Sequence, residues 1–187
     1  MGLLAFLFGK PRQRDAQGAM PLVRLQPEKT ALTGPLALQV GGVVSYDGTD
    51  FIVEARQSYS AHGFEWYALH LVDSISGRDF WLDVEDDDGL QLAIAEPIAL
   101  EFSGPVPAQL SWDSQRYRLD EHGYARVLLE SNSTPAHYVQ VEYWDFYASG
   151  SSLSLGVEKW GNQLETTLSR PIQSYELQIL SAGPPDA

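Results

Sequence analysis

The chain has 187 residues and a formal net charge of −13, with 12 basic against 25 acidic side chains. A body this acidic repels a phosphate backbone, which argues against nucleic acid as a partner. Cysteine is absent, which excludes disulfides, thiolate metal sites and a cysteine nucleophile, and suits a reducing cytoplasm.

Residues 1–35 are predicted to form a flexible N-terminal arm. Pro21, Pro27 and Pro35 interrupt any long helix, and residues 1–30 hold five basic and two acidic side chains, a net charge of +3. An apolar tip precedes the first basic residues, a pattern typical of a weak interfacial membrane anchor. The alternatives are a disordered start or a tip that packs on the protein's own body. The predicted membrane-proximal residues are Leu3, Leu4, Phe6, Leu7, Phe8, Lys10, Arg12 and Arg14.

The body, from Val40 onward, consists of short runs of β-branched and aromatic residues separated by turn residues, which predicts an all-β fold. Its first half, residues 36–104, opens with a hairpin around the turn at residues 47–50. The third segment is apolar on both alternating sets of side chains, which predicts a central strand covered on both faces. The strands predicted in this half are Val43–Tyr46, Phe51–Glu54, Glu65–Val72, Phe80–Val84 and Leu90–Ala95.

The second half, residues 105–181, repeats these features, and residues 182–187 are predicted to be a disordered tail. Tyr46-Asp47 matches Trp112-Asp113 at an offset of 66, and Val84-Glu85 matches Val157-Glu158 at an offset of 73. This order favours a duplication, with chance similarity between β-rich segments as the alternative. We therefore predict two related SH3-like barrels or curved sheets packed together. The predicted strands are Gln109–Trp112, Arg116–Leu119, Tyr124–Glu130, Tyr138–Ala148 as the longest, Leu153–Lys159, Gln163–Leu168 and a last one containing Tyr175, Leu177 and Ile179.

The acidic run from Asp83 to Asp88 is a candidate ion site, because clustered carboxylates bind Ca²⁺. If Gly89 were the glycine of a calcium loop, the first and last ligand positions would fall on Val84 and Ala95, which have no side-chain oxygen. We therefore interpret the run as a solvated hairpin tip that blunts edge pairing, and we predict no metal site. The histidines also lack the short spacing of zinc ligands: His62, His70, His122 and His137.

Catalytic motifs are missing from the sequence. It contains neither a nucleophile elbow nor a phosphate-binding loop, so we predict no catalytic residues and no cofactor. Paired carboxylates, such as Glu142 with Asp145 or Glu54 with Glu65, can act as acid and base on a sugar. A carboxylate-dependent hydrolase acting on a carbohydrate or another small molecule is therefore the alternative function.

Aromatic side chains are more numerous than one small core obviously needs, and large rings suit protein contacts. Most of them are expected to fill the interior of the barrels. The predicted partner surface consists of Trp144, Phe146, Tyr147 and Trp160.

Four ordered motifs carry a family resemblance. They are the stretch Leu38–Arg56, the aromatic strand Glu65–Leu69, the segment Phe80–Glu85 and the later segment Val157–Gly161. Together they resemble a bacterial family known only as domain of unknown function four-one-seven-eight, over roughly residues 36–180. The resemblance implies no established reaction and no catalytic residues. Many relatives carry a cysteine-based zinc ribbon ahead of the domain, which this chain cannot have, so metal binding is not carried over.

Relatives in that family are often encoded beside envelope-stress and membrane-protein genes. The resemblance and the apolar tip together predict a non-enzymatic binding or adaptor domain, cytoplasmic and peripheral to the inner membrane. We expect it to contact a partner protein through a sheet edge or an aromatic groove. A structural subunit that forms oligomers through the same aromatic surface is a further alternative.

Overall fold

The computed structural model describes residues 33–100, 102 and 104–184. The predicted anchor, Leu3 to Arg14, and the end of the predicted tail lie outside the described residues. The described part of the chain consists of β-strands with two short 3-10 turns, which confirms the all-β class. Within it, no helix is long and apolar enough to cross a membrane.

The strands are numbered in chain order. They are β1 (Val43–Tyr46), β2 (Thr49–Ala61), β3 (Phe64–Val72), β4 (Asp79–Asp86), β5 (Leu90–Pro97), β6 (Gln109–Trp112), β7 (Gln115–Ser131), β8 (His137–Tyr147), β9 (Ser154–Trp160), β10 (Gln163–Ile172) and β11 (Leu177–Ser181). The 3-10 turns span Gly34–Ala37 and Ser174–Glu176.

All of these strands belong to one antiparallel sheet, in the order β11-β1-β2-β3-β4-β5-β10-β9-β8-β7-β6. A further ladder joins β2 to β7, pairing Ala55–Ser60 with Arg126–Ser131. This ladder closes β2, β3, β4, β5, β10, β9, β8 and β7 into a ring. Each strand of the ring is therefore paired on both sides and presents no free edge to which another chain could add a strand.

The two halves repeat one pairing pattern. Strands β1 to β5 pair consecutively, as do β6 to β10, and the halves meet at the β5–β10 and β2–β7 ladders. The long strand of each half has a register shift, at Glu54 in β2 and at Asp120 in β7, which lie 66 residues apart. Strand β11, which the sequence analysis assigned to the second half, pairs with β1 of the first half.

The two opening hairpins have tight turns of the same kind. Asp47 and Gly48 have φ angles of 51° and 73°, and Asp113 and Ser114 have φ angles of 46° and 64°. Two successive residues with positive φ are typical of the two-residue turn whose twist matches that of paired strands. The first hairpin is thus confirmed, with a shorter turn and a longer second strand than predicted.

Two apolar cores lie on the outer face of the ring, one against each half. Period-2 alternation creates them, because successive side chains of a strand point to opposite faces. In β4, for example, Phe80, Leu82 and Val84 enter the first core. In β8, Trp144 and Phe146 enter the second core. A third, smaller cluster lies inside the ring and contains Tyr59, Trp66, Val127, Val141 and Tyr143 among others.

Three details of the strand prediction were wrong. The segments Arg116–Leu119 and Tyr124–Glu130 belong to a single strand, β7, whose 17 residues make it longer than β8 with 11. The intervening polar residues suggested a break, but the bulge at Asp120 lets the chain stay extended. Tyr175 lies in a 3-10 turn and is exposed rather than part of the last strand.

Candidate functional site

A cavity of about 70 Å³ lies inside the ring, lined by residues of seven of its strands. Its aromatic lining is Tyr59, Trp66, Trp81 and Tyr143, and its acidic lining is Asp83, Glu85, Asp145, Glu158 and Glu165. None of the described residues that line it is Lys, Arg or His. The cavity therefore combines aromatic faces with a concentration of carboxyl groups.

Alternation along the strands places these groups inside. Trp81, Asp83 and Glu85 occupy the positions of β4 between those that enter the first core. Tyr143 and Asp145 do the same in β8, between positions that enter the second core. One face of each strand thus supports the fold, and the other lines the cavity.

The two halves contribute residues of the same kinds to the cavity, although the two aspartates lie on non-corresponding strands. Trp66 lies directly opposite Glu85 in the β3–β4 ladder, and Tyr143 lies directly opposite Glu158 in the β8–β9 ladder. Two residues further along, the opposite pairs are Ala68 with Asp83 and Asp145 with Gly156. Each half therefore supplies one aromatic residue, one glutamate and one aspartate. We name these the first-half set (Trp66, Asp83, Glu85) and the second-half set (Tyr143, Asp145, Glu158).

Carboxyl groups of like charge lie directly opposite each other on neighbouring strands. Glu121 of β7 is paired with Asp145 of β8, and Glu158 of β9 is paired with Glu165 of β10. Like charges at directly opposite positions destabilise a sheet. The arrangement therefore costs stability that a core of apolar residues would not cost.

Burial and mutual repulsion shift the acid–base equilibria of this cluster. Burial, with the nearby Glu158 and Glu85 carboxylates, raises the pKa of Asp83 well above its usual range. Burial and the Glu121 carboxylate do the same to the pKa of Asp145. Burial raises the pKa of Glu158 to about 7, against hydrogen bonds that favour its ionised form. A carboxyl group that cannot be solvated stays protonated unless a positive charge compensates it.

Hydrogen bonds hold part of the cluster in place. Glu158 Oε2 accepts hydrogen bonds from the Tyr59 hydroxyl at 3.2 Å and from Trp160 Nε1 at 3.1 Å. The Tyr143 hydroxyl donates to Glu121 at 2.8 Å. Asp145 differs, because the residue is 4% exposed and its Oδ2 has no hydrogen-bond partner among the described residues. Such an oxygen is an exception among buried polar atoms, most of which are hydrogen-bonded.

The acidic run Asp83 to Asp88 is divided by the strand, and its interpretation as a single solvated tip was wrong. Glu85 is 1% exposed and, with Asp83, lines the cavity, whereas Asp86 to Asp88 are exposed at the hairpin end. The reason is that β4 continues to Asp86, so alternation still applies to the first acidic residues of the run. Among the described residues, no group of three or more His, Cys, Asp or Glu side chains has an arrangement that could hold a metal ion.

The predicted partner surface is not exposed as expected. Trp144 is 9% exposed and Phe146 is fully buried, both in the second core, because β6 and the segment before it cover this face of β8. Tyr147 is half-buried. Trp160 is half-buried against the cluster inside the ring and donates its indole N–H to Glu158.

The remaining candidates do not converge on one place. Glu142 and Asp145 are three residues apart on β8 and face opposite sides of it, so they cannot act on one substrate atom. His122 contacts Glu142 at 2.9 Å and stacks on Trp144, and His70 contacts Asp79 at 2.9 Å. The other candidates are exposed: Glu54, His62, Glu65 and His137.

Sequence reasoning missed most residues of the cavity. It treated Trp66 and Trp81 as ordinary strand aromatics and Glu158 as part of a family motif. A usable signal was present in Phe80–Glu85, where apolar residues alternate with Trp81, Asp83 and Glu85. Both faces of such a strand are covered, so the carboxylates on one of them must line an interior space.

Comparison with known proteins places the chain in a family. Residues 39–174 match the family model described as Domain of unknown function (DUF4178). The chain belongs to this family. It is also similar to uncharacterized proteins of Mycobacterium bovis and of two Mycobacterium tuberculosis strains, with 26% identity over 161 residues, 82% of this chain and 77% of each relative. No solved structure matches the chain.

Proposed function

We propose that this DUF4178 domain is a non-enzymatic binding module whose cavity takes a positively charged organic group. The observation that carries the proposal is the lining of the cavity, in which Asp145 has a buried oxygen without a hydrogen-bond donor among the described residues. Aromatic faces surround the carboxyl groups. The positive charge of a cation is attracted both to the electron-rich faces of aromatic rings and to carboxylates.

The energetics favour a ligand over an empty cavity. Each buried carboxyl group is either protonated or pays a large desolvation cost. A cation that enters restores the ionised form and relieves the repulsion between opposite carboxylates, such as Glu158 and Glu165. The binding free energy then includes the removal of the desolvation and repulsion that the carboxyl groups already have in the folded protein.

An organic ammonium group fits this lining better than a metal ion. Metal ions need several oxygen ligands that converge at short distances, and no such group occurs among the described residues. Trp66 stacks on Tyr59 with ring centroids 5.1 Å apart, which gives a flat apolar wall beside the carboxylates. A ligand with both a charge and carbon atoms uses both kinds of surface.

Tryptophan fluorescence of the full chain tests the proposal. We expect a saturable change on titration with butylamine and none with the neutral butanol, since only the amine carries a charge. Asp145→Asn should weaken amine binding about tenfold or more, whereas Asp88→Asn at the exposed hairpin end should leave it unchanged. Equal responses to the amine and the alcohol, or no response to either, would contradict the proposal.

A carboxylate-dependent hydrolase is the second candidate. Glu158 favours it, because a carboxyl group with a pKa of about 7 in a cavity has the acidity of a general acid. The small cavity argues against a whole sugar ring as the bound group. Turnover of chromogenic glycosides and esters that disappears in Glu158→Gln and persists in Asp88→Asn would support the hydrolase, and absence of turnover would exclude it for these substrates.

We also propose that the two halves arose by duplication of an SH3-like unit. Support comes from the repeated pairing order and from the bulges at Glu54 and Asp120, which have the same offset of 66 as the matched turns at Asp47 and Asp113. The adaptor role toward a partner protein in a membrane-associated system stays a prediction.

A further inference from the structure

On the basis of the proposed cation-binding function, we infer that the ligand has two positive charges, one held by each half of the ring. The chemical class is a short alkane diamine, or two amines presented at a similar spacing. The juxtaposition that carries this inference is that of the first-half set (Trp66, Asp83, Glu85) and the second-half set (Tyr143, Asp145, Glu158) around one cavity.

The two sets consist of the same kinds of residue, in a similar arrangement. In each, an aromatic residue lies directly opposite a glutamate; Asp83 lies two residues away on the strand of the glutamate, whereas Asp145 lies two residues away on the strand of the aromatic residue. The sets belong to halves that pair their strands in the same order and meet in one ring. A cavity that receives an aromatic residue, a glutamate and an aspartate from each half fits a ligand with an ammonium group at each end.

The number of carboxyl groups also favours two charges. Besides the four in the two sets, Glu165, which is exposed, lies at the lining of the cavity, opposite Glu158. One ammonium group would compensate one carboxylate and leave the other carboxyl groups of the lining protonated or in repulsion. Two ammonium groups, each with a carboxylate from one set, compensate carboxyl groups of both halves.

Size limits the distance between the two charges. A cavity of about 70 Å³ holds about five to seven water-sized groups, at roughly 10–15 Å³ each. A diamine with four or five carbons has about six or seven non-hydrogen atoms, which is the same number of groups. Between the sets, the rings of Trp66 and Tyr143 meet edge to face with centroids 6.1 Å apart, and they offer apolar surface to the methylene groups.

Calorimetric titration of the full chain with a series of alkane diamines, from two to eight carbons, tests the inference. Butylamine is the reference with one charge, and a short peptide with lysines two residues apart distinguishes amines of a partner protein from a free diamine. The matched variants are Asp83→Asn and Asp145→Asn, one in each set, and Asp88→Asn is the control. The series of diamine lengths is measured on the unmodified chain, so its result does not depend on whether any variant folds.

We expect the diamines of four or five carbons to bind about tenfold or more tightly than butylamine, with weaker binding of shorter and longer members. Each Asp→Asn change should bring diamine affinity down to that of butylamine, to a similar extent in both sets. Tighter binding of the peptide than of any diamine would assign the amines to a partner protein.

The outcomes separate this inference from the proposed function. Binding of butylamine with no preference for any diamine would overturn the inference and leave cation binding in place. A loss confined to one of the two sets would overturn it as well, because the ligand would then contact one side. If no amine binds at all, both the inference and the proposed function fail.

Discussion

The outer cores and the interior of the ring are built from the same strands with opposite chemistry. In β4, Phe80 and Leu82 are fully buried in an apolar core, while their neighbours Trp81 and Asp83 face the cavity. Apolar burial stabilises the fold in proportion to area. Buried carboxyl groups lower stability unless they are compensated.

This difference shows how a small β protein can keep apolar packing on one face of its strands and carboxyl groups on the other. The two apolar cores supply the stability that the interior lacks, so the interior can carry carboxyl groups that cost stability. Substitutions at single positions, compared by their change in unfolding free energy, test whether each position belongs to the apolar face or to the cavity face.

Phe80→Ala should cost most. Phe80 is fully buried and packs edge-on against Phe51, with ring centroids 4.7 Å apart. Truncation of a buried Phe costs about 3–5 kcal/mol. Its neighbour Trp81 is half-buried, so Trp81→Ala should cost less than about 2 kcal/mol. Urea unfolding of both variants measures this, and equal losses would show that the two faces of β4 contribute alike.

Glu158→Gln should stabilise the protein at alkaline pH. The pKa of Glu158 is raised from 4.5 to about 7 in the folded state. Its protonated form therefore contributes fully to the free energy of unfolding at low pH, and this contribution is lost as pH rises through 7. The ionised group then costs about 3 kcal/mol. The variant should be more stable than the parent by about that amount at pH 8.5 and similar at pH 4.5. Identical pH profiles in thermal unfolding would show that Glu158 is not the group that titrates.

Gly123→Ala should destabilise the interior by a steric route. A Cβ at Gly123 would lie 2.7 Å from the Tyr143 hydroxyl oxygen, which hydrogen-bonds Glu121. The loss should be about 1–3 kcal/mol. The double variant with Tyr143→Phe removes the clashing hydroxyl and should recover part of this loss. If the double variant is less stable than the sum of both single changes, the clash is not the cause.

Asp88→Asn should have the smallest effect. Asp88 is exposed at the end of the β4–β5 hairpin, where substitutions usually change stability by less than about 0.5 kcal/mol. A loss above about 1 kcal/mol would mean that the hairpin end has a contact that its exposure does not reveal.

The sequence predicted local pairing well because hairpins have local signals. Asp47-Gly48 marks the first turn, and the double apolar pattern of Glu65–Val72 marks a strand covered on both faces. The ring could not be predicted in this way. Its closing ladder joins Ala55 to Ser131. These residues are far apart in the sequence, and no turn residue predicts that their strands pair. Trp144 was placed on the surface because the strand that covers it was not assigned to that face.

Calorimetric titration of the full chain with a four-carbon diamine, at pH 6 and at pH 8, tests the central claim most directly. Because the carboxyl groups must ionise to hold the ligand, we expect saturable one-to-one binding that is tighter at pH 8 and that releases protons to the buffer. Saturable binding should be lost or weakened in Asp145→Asn. Absence of binding at millimolar diamine, or equal binding by the parent and by Asp145→Asn, would contradict the assignment of the ring interior as a cation site.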